Sequence, residues 1–176
     1  IDSYLVFSLT NGALHVTDAT NAARTMLYDI RNGMWDASLL DRLGIPPVML
    51  PEVRDTQGDF GATAPEHFSV SLPIRGVAGD QQAAAHGQAC VRPGMVKATY
   101  GTGCFVVANT ADQKVASSMR MLSTILSQRV GLPTFALEGA IFMAGATIQW
   151  LRDNLGLIAT SEESEALARM ADPKSG

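Results

Sequence analysis

The chain has 176 residues, of which 47% are hydrophobic, and this is enough for one substantial core or for parts of two. Its 13 lysines and arginines against 17 aspartates and glutamates give a net charge of −4. No basic run interleaved with aromatic residues occurs, which argues against a nucleic-acid-binding surface. The apolar stretches stop short of membrane-spanning length and no signal-peptide pattern is present, so membrane insertion is not expected.

Cysteine and histidine usage argues against a metal-stabilised or secreted scaffold. Cys90 and Cys104 form neither a disulfide framework nor a CxxC metal motif, which fits a reducing cytosol and predicts a cytoplasmic protein. The three histidines (His15, His67 and His86) are scattered without ligand spacing, so a zinc site is not expected.

The first half of the chain predicts mixed structure. The apolar run SYLVFSL is predicted to be extended, followed by a Thr-Asn-Gly turn and a second extended piece. Apolar residues at helical spacing then predict an amphipathic helix, which Asp18 or Thr20 can cap. The stripe consists of Ala19, Ala22, Ala23, Met26, Leu27 and Ile30. A second helix is predicted from Trp35 to Leu43.

The stretch from Pro51 to Glu66 is polar and contains glycines, so it is predicted to be a loop. SVSLPIRGVAG is predicted to be extended, with Pro73 at an edge or a break, and DQQAAAHGQAC to be a short helix. Two strand pairs are predicted in MVKATYGTGCFVVANT and MLSTILSQRVGLPTFALEG. IFMAGATIQWLRDNLGL and SEESEALARMA predict two final helices, the first with Trp150 and Leu151 in the core. The chain is therefore predicted to be α/β, with hairpins as well as strand-to-helix turns.

Three short stretches are candidates for chemistry. Asp80 follows the glycine-broken run GVAG at the start of a predicted helix, where a carboxylate serves either as an N-cap or as a catalytic base. The capping-box partner is missing because residue 83 is alanine, yet on the residues alone the N-cap is the favoured interpretation. The helix dipole would keep this carboxylate charged, able to accept a hydroxyl hydrogen or to hold Mg²⁺.

The second stretch is YGTGCF. Gly101 and Gly103 allow close approach of a ligand, and the hydroxyl of Thr102 could face phosphate oxygens; a tight hairpin turn is the competing interpretation. The third stretch is GAIFMAGATIQW, in which Gly145 and Gln149 lie on one face of the predicted helix. Gly145 removes a side chain where something comes close, or else simply permits helix–helix packing. Neither GxGxxG nor a Walker loop is present.

Taken together, these stretches resemble the glycerol kinases of the FGGY carbohydrate kinase family. The resemblance runs essentially from end to end and rests on HVTDATNAARTMLYDI, MLPEV, GVAGDQQAA, YGTGCFVVANT and FALEGAIFMAGATIQWLRDNLGL. It implies ATP-dependent, Mg²⁺-dependent phosphorylation of glycerol to sn-glycerol 3-phosphate. It also implies an actin-like, ribonuclease-H-like fold of two domains, with catalysis in the cleft between them. Residues 1–90 would form the C-terminal part of the first domain, and residues 91–176 would form the beginning of the second.

The resemblance also implies roles for single residues. Asp80 matches the catalytic base and would also help to bind Mg²⁺. Gln81 matches a residue that binds a glycerol hydroxyl. Phe105 matches an apolar wall against the glycerol carbons. The nucleotide site would include four residues: Gly101 and Thr102 at the phosphates, and Gly145 and Gln149 along its lining.

Alternatives remain beside this interpretation. The same fold could phosphorylate another polyol or a sugar, or the segment could be a non-catalytic interaction module. The chain begins at Ile1 without methionine and lacks the phosphate loop, the Arg-Glu pair and the adenosine motif of the family. We therefore expect an internal fragment that is inactive alone, cut from a cytoplasmic enzyme that forms homo-oligomers.

Overall fold

The computed structural model describes residues 1–172 as an α/β chain of seven α-helices and eight strands. In its first half the elements are α1 Asp2–Leu9, β1 Val16–Asp18, α2 Ala19–Ala22, β2 Tyr28–Asp29, β3 Met34–Trp35, α3 Ala37–Leu43, a 3-10 turn Pro47–Met49, β4 Glu52–Arg54, α4 Pro65–Phe68 and α5 Asp80–Gly87. In its second half they are β5 Val96–Tyr100, β6 Cys104–Ala111, β7 Leu122–Arg129, β8 Leu132–Ile141, α6 Gly145–Asp153 and α7 Glu163–Met170. No helix within residues 1–172 combines the length and the apolar character needed to cross a bilayer.

The chain divides into two compact units. Unit 1 contains Ile1–Lys97 and Val107–Glu138, and unit 2 contains Ala98–Val106 and the chain from Gly139 onward. The strand order of the main sheet is β5-β6-β8-β7. Two smaller ladders lie in unit 1, where β1 pairs with β4 in parallel and β2 pairs with β3 in antiparallel fashion.

The core of unit 1 covers both faces of the β7–β8 hairpin. Ile125 and Phe135 pack in a cluster with Ala19, Ala22 and Tyr28, which come from α2 and β2. The residue after Phe135 on β8 points to the other face, because side chains alternate along a strand, and the residue after Ile125 on β7 also does so, at an irregularity of the pairing. Leu126 and Ala136 therefore pack on that face against a second cluster, made of Ala85, Cys90 and Val107. The hairpin is in this way buried between α2 on one side and α5 on the other.

The α1 helix corrects the first sequence prediction, in which SYLVFSL was expected to be extended. This run forms a helix of eight residues in which only Val6 is buried, against Val16 and Phe60. Tyr4 and Leu5 are more than half exposed. A seven-residue apolar run has no decisive periodicity, so a strand and a helix cannot be separated by pattern alone.

The long amphipathic helix predicted through Ile30 is also wrong. Asp18 caps it as expected, but the helix ends at Ala22 and the chain turns into the β2–β3 hairpin. Met26 adopts a left-handed backbone with φ of 61°, which a continuing helix does not allow. Tyr28 packs edge-on against Trp35 across the hairpin, with 5.4 Å between ring centres. This aromatic pair overrides the helical spacing of the apolar residues.

The remaining elements mostly follow the sequence. The stretch 51–66, predicted to be a loop, contains β4 and the first two residues of α4, which is a correction, because β4 pairs with the distant β1. Segment 69–79, predicted to be extended, forms no strand: Ser69 is the left-handed C-cap of α4, and the segment makes two isolated bridges, Gln57 to Gly76 and Ala62 to Pro73. The helix predicted from Trp35 begins at Ala37, capped by Asp36 and closed by left-handed Gly44. Both strand pairs, α5 and α7 are confirmed.

Helix α6 is confirmed in a shorter form, because it begins at Gly145 and ends at Asp153. The expectation that Trp150 is a core residue is wrong, since 47% of it is exposed. Leu151 is half-buried.

Candidate functional site

Asp80 is the first residue of α5, and the N-cap position belongs to Gly79. The N-cap interpretation of Asp80 is therefore wrong. The side chain is exposed, and its Oδ1 accepts a hydrogen bond of 2.8 Å from the amide of Gln81. Because the helix dipole favours negative charge at this end, the position suits an ionised carboxylate. An exposed carboxylate has lone pairs left for a ligand, which is what a general base requires.

The carboxamide of Gln81 is held by a buried lysine. The Nζ of Lys97 donates to the Oε1 of Gln81 over 2.5 Å, and only 2% of Lys97 is exposed. An ammonium group can only donate, so the partner atom on Gln81 must be the carbonyl oxygen. The NH₂ group of Gln81 is thereby left to donate to another acceptor, such as a hydroxyl oxygen.

A buried hydrogen-bond network lies behind Asp80. The carboxylate of Asp18 is fully buried and accepts from the hydroxyl of Thr20 (2.8 Å) and from the hydroxyl of Thr56 (2.9 Å). The amide and the side-chain amide of Asn21 also donate to it. The Oγ1 of Thr20 in turn accepts from the amide of Gly79 over 2.9 Å. The network therefore ends at the residue that precedes Asp80.

In unit 2 the Gly101–Gly103 turn packs against the start of α6 through backbone hydrogen bonds. The amide of Gly145 donates to the carbonyl of Gly101 (2.9 Å), and the amide of Ala144 donates to that of Thr102 (2.8 Å). The amide of Ala146 also donates to Thr102, over 3.2 Å. These bonds use amides that would otherwise be free at a helix N-terminus. The amides of Gly145 and Ala146 are therefore not available to an anion.

At Gly145 and Gly103 a backbone carbonyl comes so close to the α-carbon that no side chain fits. A Cβ on Gly145 would lie 2.6 Å from the carbonyl oxygen of Gly101, and one on Gly103 would lie 2.7 Å from that of Ile141. Both distances are shorter than real side chains tolerate. Of the two interpretations of Gly145, close approach is confirmed, but the approaching group is the backbone of the turn.

The other site residues of unit 2 are placed as follows. Thr102 is exposed at the tip of the turn, so a ligand can reach its hydroxyl, and Phe105 is half-buried on β6. Gln149 is exposed on α6, one turn beyond Gly145. Five predicted site residues thus belong to unit 2: Gly101, Thr102, Phe105, Gly145 and Gln149. Asp80 and Gln81 belong to unit 1.

Within residues 1–172 no group of three or more His, Cys, Asp or Glu side chains could hold a metal ion. Mg²⁺ is commonly held by one or two carboxylates together with substrate phosphates and water. A single exposed carboxylate at Asp80 fits that mode, whereas a closed cage of protein ligands would not fit the residues present. Cys90 and Cys104 are free and buried.

Sequence reasoning did not find Lys97 or the role of Thr20. Lys97 is one polar residue in a strand, and nothing local shows that its side chain is turned inward. The sequence predicts either Asp18 or Thr20 as the N-cap of α2, and the N-cap is Asp18. The second role of Thr20 requires contact with Gly79, which lies 59 residues further along the chain, and no short-range pattern indicates that contact.

Comparison with known proteins places the chain in a family. The profile of the N-terminal domain of the FGGY family of carbohydrate kinases matches residues 1–87, and that of the C-terminal domain matches residues 96–175. A glycerol kinase from Methylobacterium nodulans is 60% identical over 98% of this chain and 34% of its own length. The chain thus spans about a third of the length of the curated relatives it matches.

Solved structures agree on the fold. The crystal structure of Plasmodium falciparum glycerol kinase with ADP superposes with a TM-score of 0.88 at 36% identity, covering 96% of this chain and 34% of that one. A gluconate kinase from Lactobacillus acidophilus superposes with a TM-score of 0.84 at 22% identity, covering 97% and 35%, and shows the fold alone. The predicted α/β class and actin-like kinase fold are confirmed. The chain belongs to the FGGY family of carbohydrate kinases.

Proposed function

We propose that the polypeptide carrying this segment transfers the γ-phosphoryl group of ATP to glycerol and releases sn-glycerol 3-phosphate and ADP. The observation that carries the proposal is the 60% identity to a protein named glycerol kinase, sustained over 98% of the chain. Such identity covers the stretches that hold Asp80, the Gly101–Gly103 turn and Gly145.

Asp80 is proposed as the general base. Phosphoryl transfer passes through a loose transition state, so positioning and charge stabilisation supply most of the catalysis. The attacking hydroxyl loses its proton late, and the exposed carboxylate of Asp80 accepts it. When bound, Mg²⁺ would neutralise phosphate charge, and Asp80 is the residue of this chain that would help to hold it.

Gln81 and Phe105 are proposed to hold glycerol. The NH₂ group of Gln81 faces a hydroxyl oxygen because its carbonyl oxygen is engaged by Lys97. Phe105 supplies an apolar surface for the carbon chain. Thr102 and Gly101 are proposed to contact the nucleotide phosphates, with Gly145 and Gln149 along the nucleotide.

The test is glycerol-dependent ADP release by the longest native polypeptide that contains these residues, compared with its Asp80→Asn variant. Loss of a general base lowers turnover by roughly 10² to 10⁴. We expect kcat to fall by about that factor, with KM for ATP nearly unchanged. An Asn variant that keeps near-full turnover would rule out Asp80 as the base.

A substrate panel of polyols and sugars separates glycerol from the other substrates open to this fold. Preference for another polyol would keep the kinase and replace its substrate. Absence of activity toward every compound, in a folded polypeptide, would favour a non-catalytic module. Because the chain spans about a third of its relatives, we expect the isolated 176-residue polypeptide to be inactive.

The domain boundary between residues 1–90 and 91–176, the homo-oligomeric state and the cytoplasmic location are further proposals. Light scattering of the longest native polypeptide during gel filtration tests the second, because it gives the molar mass directly. Fractionation of cells tests the third.

A further inference from the structure

The Asp18 carboxylate is more heavily bonded than a short helix requires. None of the ion pairs within residues 1–172 includes Asp18, although the residue has no exposed surface. A buried carboxylate is costly unless hydrogen bonds replace its water. Here those donors come from Thr20, Asn21 and Thr56. The helix that Asp18 caps has only four residues, so capping this helix does not by itself account for the cost of burying the carboxylate.

Two hydroxyl-bearing residues of the network hold the segment that leads to Asp80. The hydroxyl of Thr20 has one proton, which it gives to Asp18, so its lone pairs are fixed toward the amide of Gly79. The backbone carbonyl of Thr56, whose hydroxyl also bonds Asp18, accepts from the amide of Val77 over 3.0 Å. One carboxylate thus anchors both supports of the segment 77–79.

The backbone of Gly79 is also confined by packing. It is buried, and a Cβ there would lie 2.5 Å from Oε1 of Gln82 and 3.7 Å from Oγ1 of Thr20. Gln82 is itself buried, at 1% exposure. The residue before the candidate base is therefore fixed by Thr20 on its amide and by Gln82 beside its α-carbon.

From this we infer that Thr20, oriented by Asp18, is a positioning residue for Asp80. The inference rests on the proposed function, since it presumes that Asp80 is the base. Thr20 does not touch the reacting atoms. It holds Gly79, the N-cap of α5, in a fixed position. Because Asp80 directly follows Gly79, the position of its exposed carboxylate is fixed as well. A misplacement of about 1 Å can lower a rate on the order of 100-fold.

The test uses Thr20→Val in the longest native polypeptide, because valine keeps the shape and removes the hydroxyl. We expect kcat for glycerol to fall about 10- to 100-fold, with KM for ATP unchanged. Exchange of the Gly79 amide with solvent should become faster, and Thr20→Ser should restore both values.

Thr17→Val is the matched control. Thr17 is buried at 3% exposure and donates to the carboxylate of Asp2, but it has no hydrogen bond to the segment 77–79. It should lose stability while keeping kcat and the protection of the Gly79 amide. A fall in kcat as large as that of Thr20→Val would show general destabilisation and overturn the inference.

The two proposals fail separately. If Asp80→Asn lowers kcat and Thr20→Val does not, the inference alone is overturned. If Asp80→Asn keeps near-full turnover, the base assignment falls and the inference falls with it. Should Thr20→Val not fold, Thr20→Ala serves instead, because it removes the same hydroxyl and its bond to the amide of Gly79. An unchanged kcat in that variant would equally overturn the inference.

Discussion

At the scale of single residues, the same chemical group has different tasks according to its burial. Asp18 and Asp80 each lie at the start of a helix, yet Asp18 is fully buried among hydroxyl and amide donors and Asp80 is exposed. A buried carboxylate has its lone pairs committed to protein donors, whereas an exposed one can take a ligand. Gly145 shows the complementary case, in which the absence of a side chain permits the close approach of the Gly101 backbone.

Gly145→Ala is expected to separate α6 from the Gly101–Gly103 turn. The new methyl group would lie 2.6 Å from the carbonyl oxygen of Gly101, which is backbone and cannot rotate away. If the turn contacts the nucleotide, KM for ATP should rise about tenfold or more in the longest native polypeptide, with KM for glycerol little changed.

Gly87→Ala is the control for this substitution, because nothing lies within 4 Å of a Cβ at that position. It should leave both KM values unchanged. Equal effects of the two variants, or an unchanged KM for ATP in Gly145→Ala, would argue against a nucleotide contact at the turn.

At the scale of elements, the β7–β8 hairpin holds a locally strained turn. Its two-residue connection is Val130-Gly131, with φ of 52° and 70°. Such a turn needs a left-handed backbone at both positions and favours Asn-Gly. A β-branched residue with positive φ is rare because its Cβ crowds the following carbonyl.

Val130→Asn is therefore expected to stabilise the chain by about 1 kcal/mol. Val130 is 81% exposed, so little packing is lost with its methyl groups. The measurement is the urea midpoint of unfolding at constant m-value. Val48→Asn, which is equally exposed at 86% and has negative φ, should produce no gain. A destabilised Val130→Asn variant would show that the turn is not strained.

At the scale of the whole molecule, the buried clusters are unevenly shared. All three clusters identified within residues 1–172 lie in unit 1. Helices α6 and α7 of unit 2 contain no buried residue, whereas β7 buries Thr124, Ile125 and Leu126. Local opening is governed by such burial, because segments with few buried contacts open without global unfolding.

We expect amide protection in native-state hydrogen exchange of the 176-residue polypeptide to differ between the two units. Amides of α6 and α7 should exchange through local opening, while those of β7 and β8 should approach the global free energy of unfolding. Leu126→Ala, which costs about 2–5 kcal/mol, should speed exchange in β7 and leave α7 nearly unchanged. Uniform protection throughout the chain would contradict the prediction.

The sequence alone determined the features that depend on neighbouring residues. Strand pairs, α5 and α7 follow from alternation, turn residues and helix formers within a short window, and all were found. The family could also be identified from the sequence, because its motifs are contiguous stretches such as YGTGCF and GVAGDQQAA. The chemical types of the candidate site residues were also evident from the sequence, namely a carboxylate, two carboxamides, a hydroxyl, an aromatic ring and two glycines.

Only the tertiary structure decided the features that depend on distant partners. The run SYLVFSL became a helix, and the stripe through Ile30 became a hairpin, because packing against other elements outweighed local preference. Lys97 meets Gln81 across 16 residues, and Thr20 meets Gly79 across 59. A hydrogen bond forms wherever folding brings a donor to an acceptor, and no spacing along the sequence records where that will be.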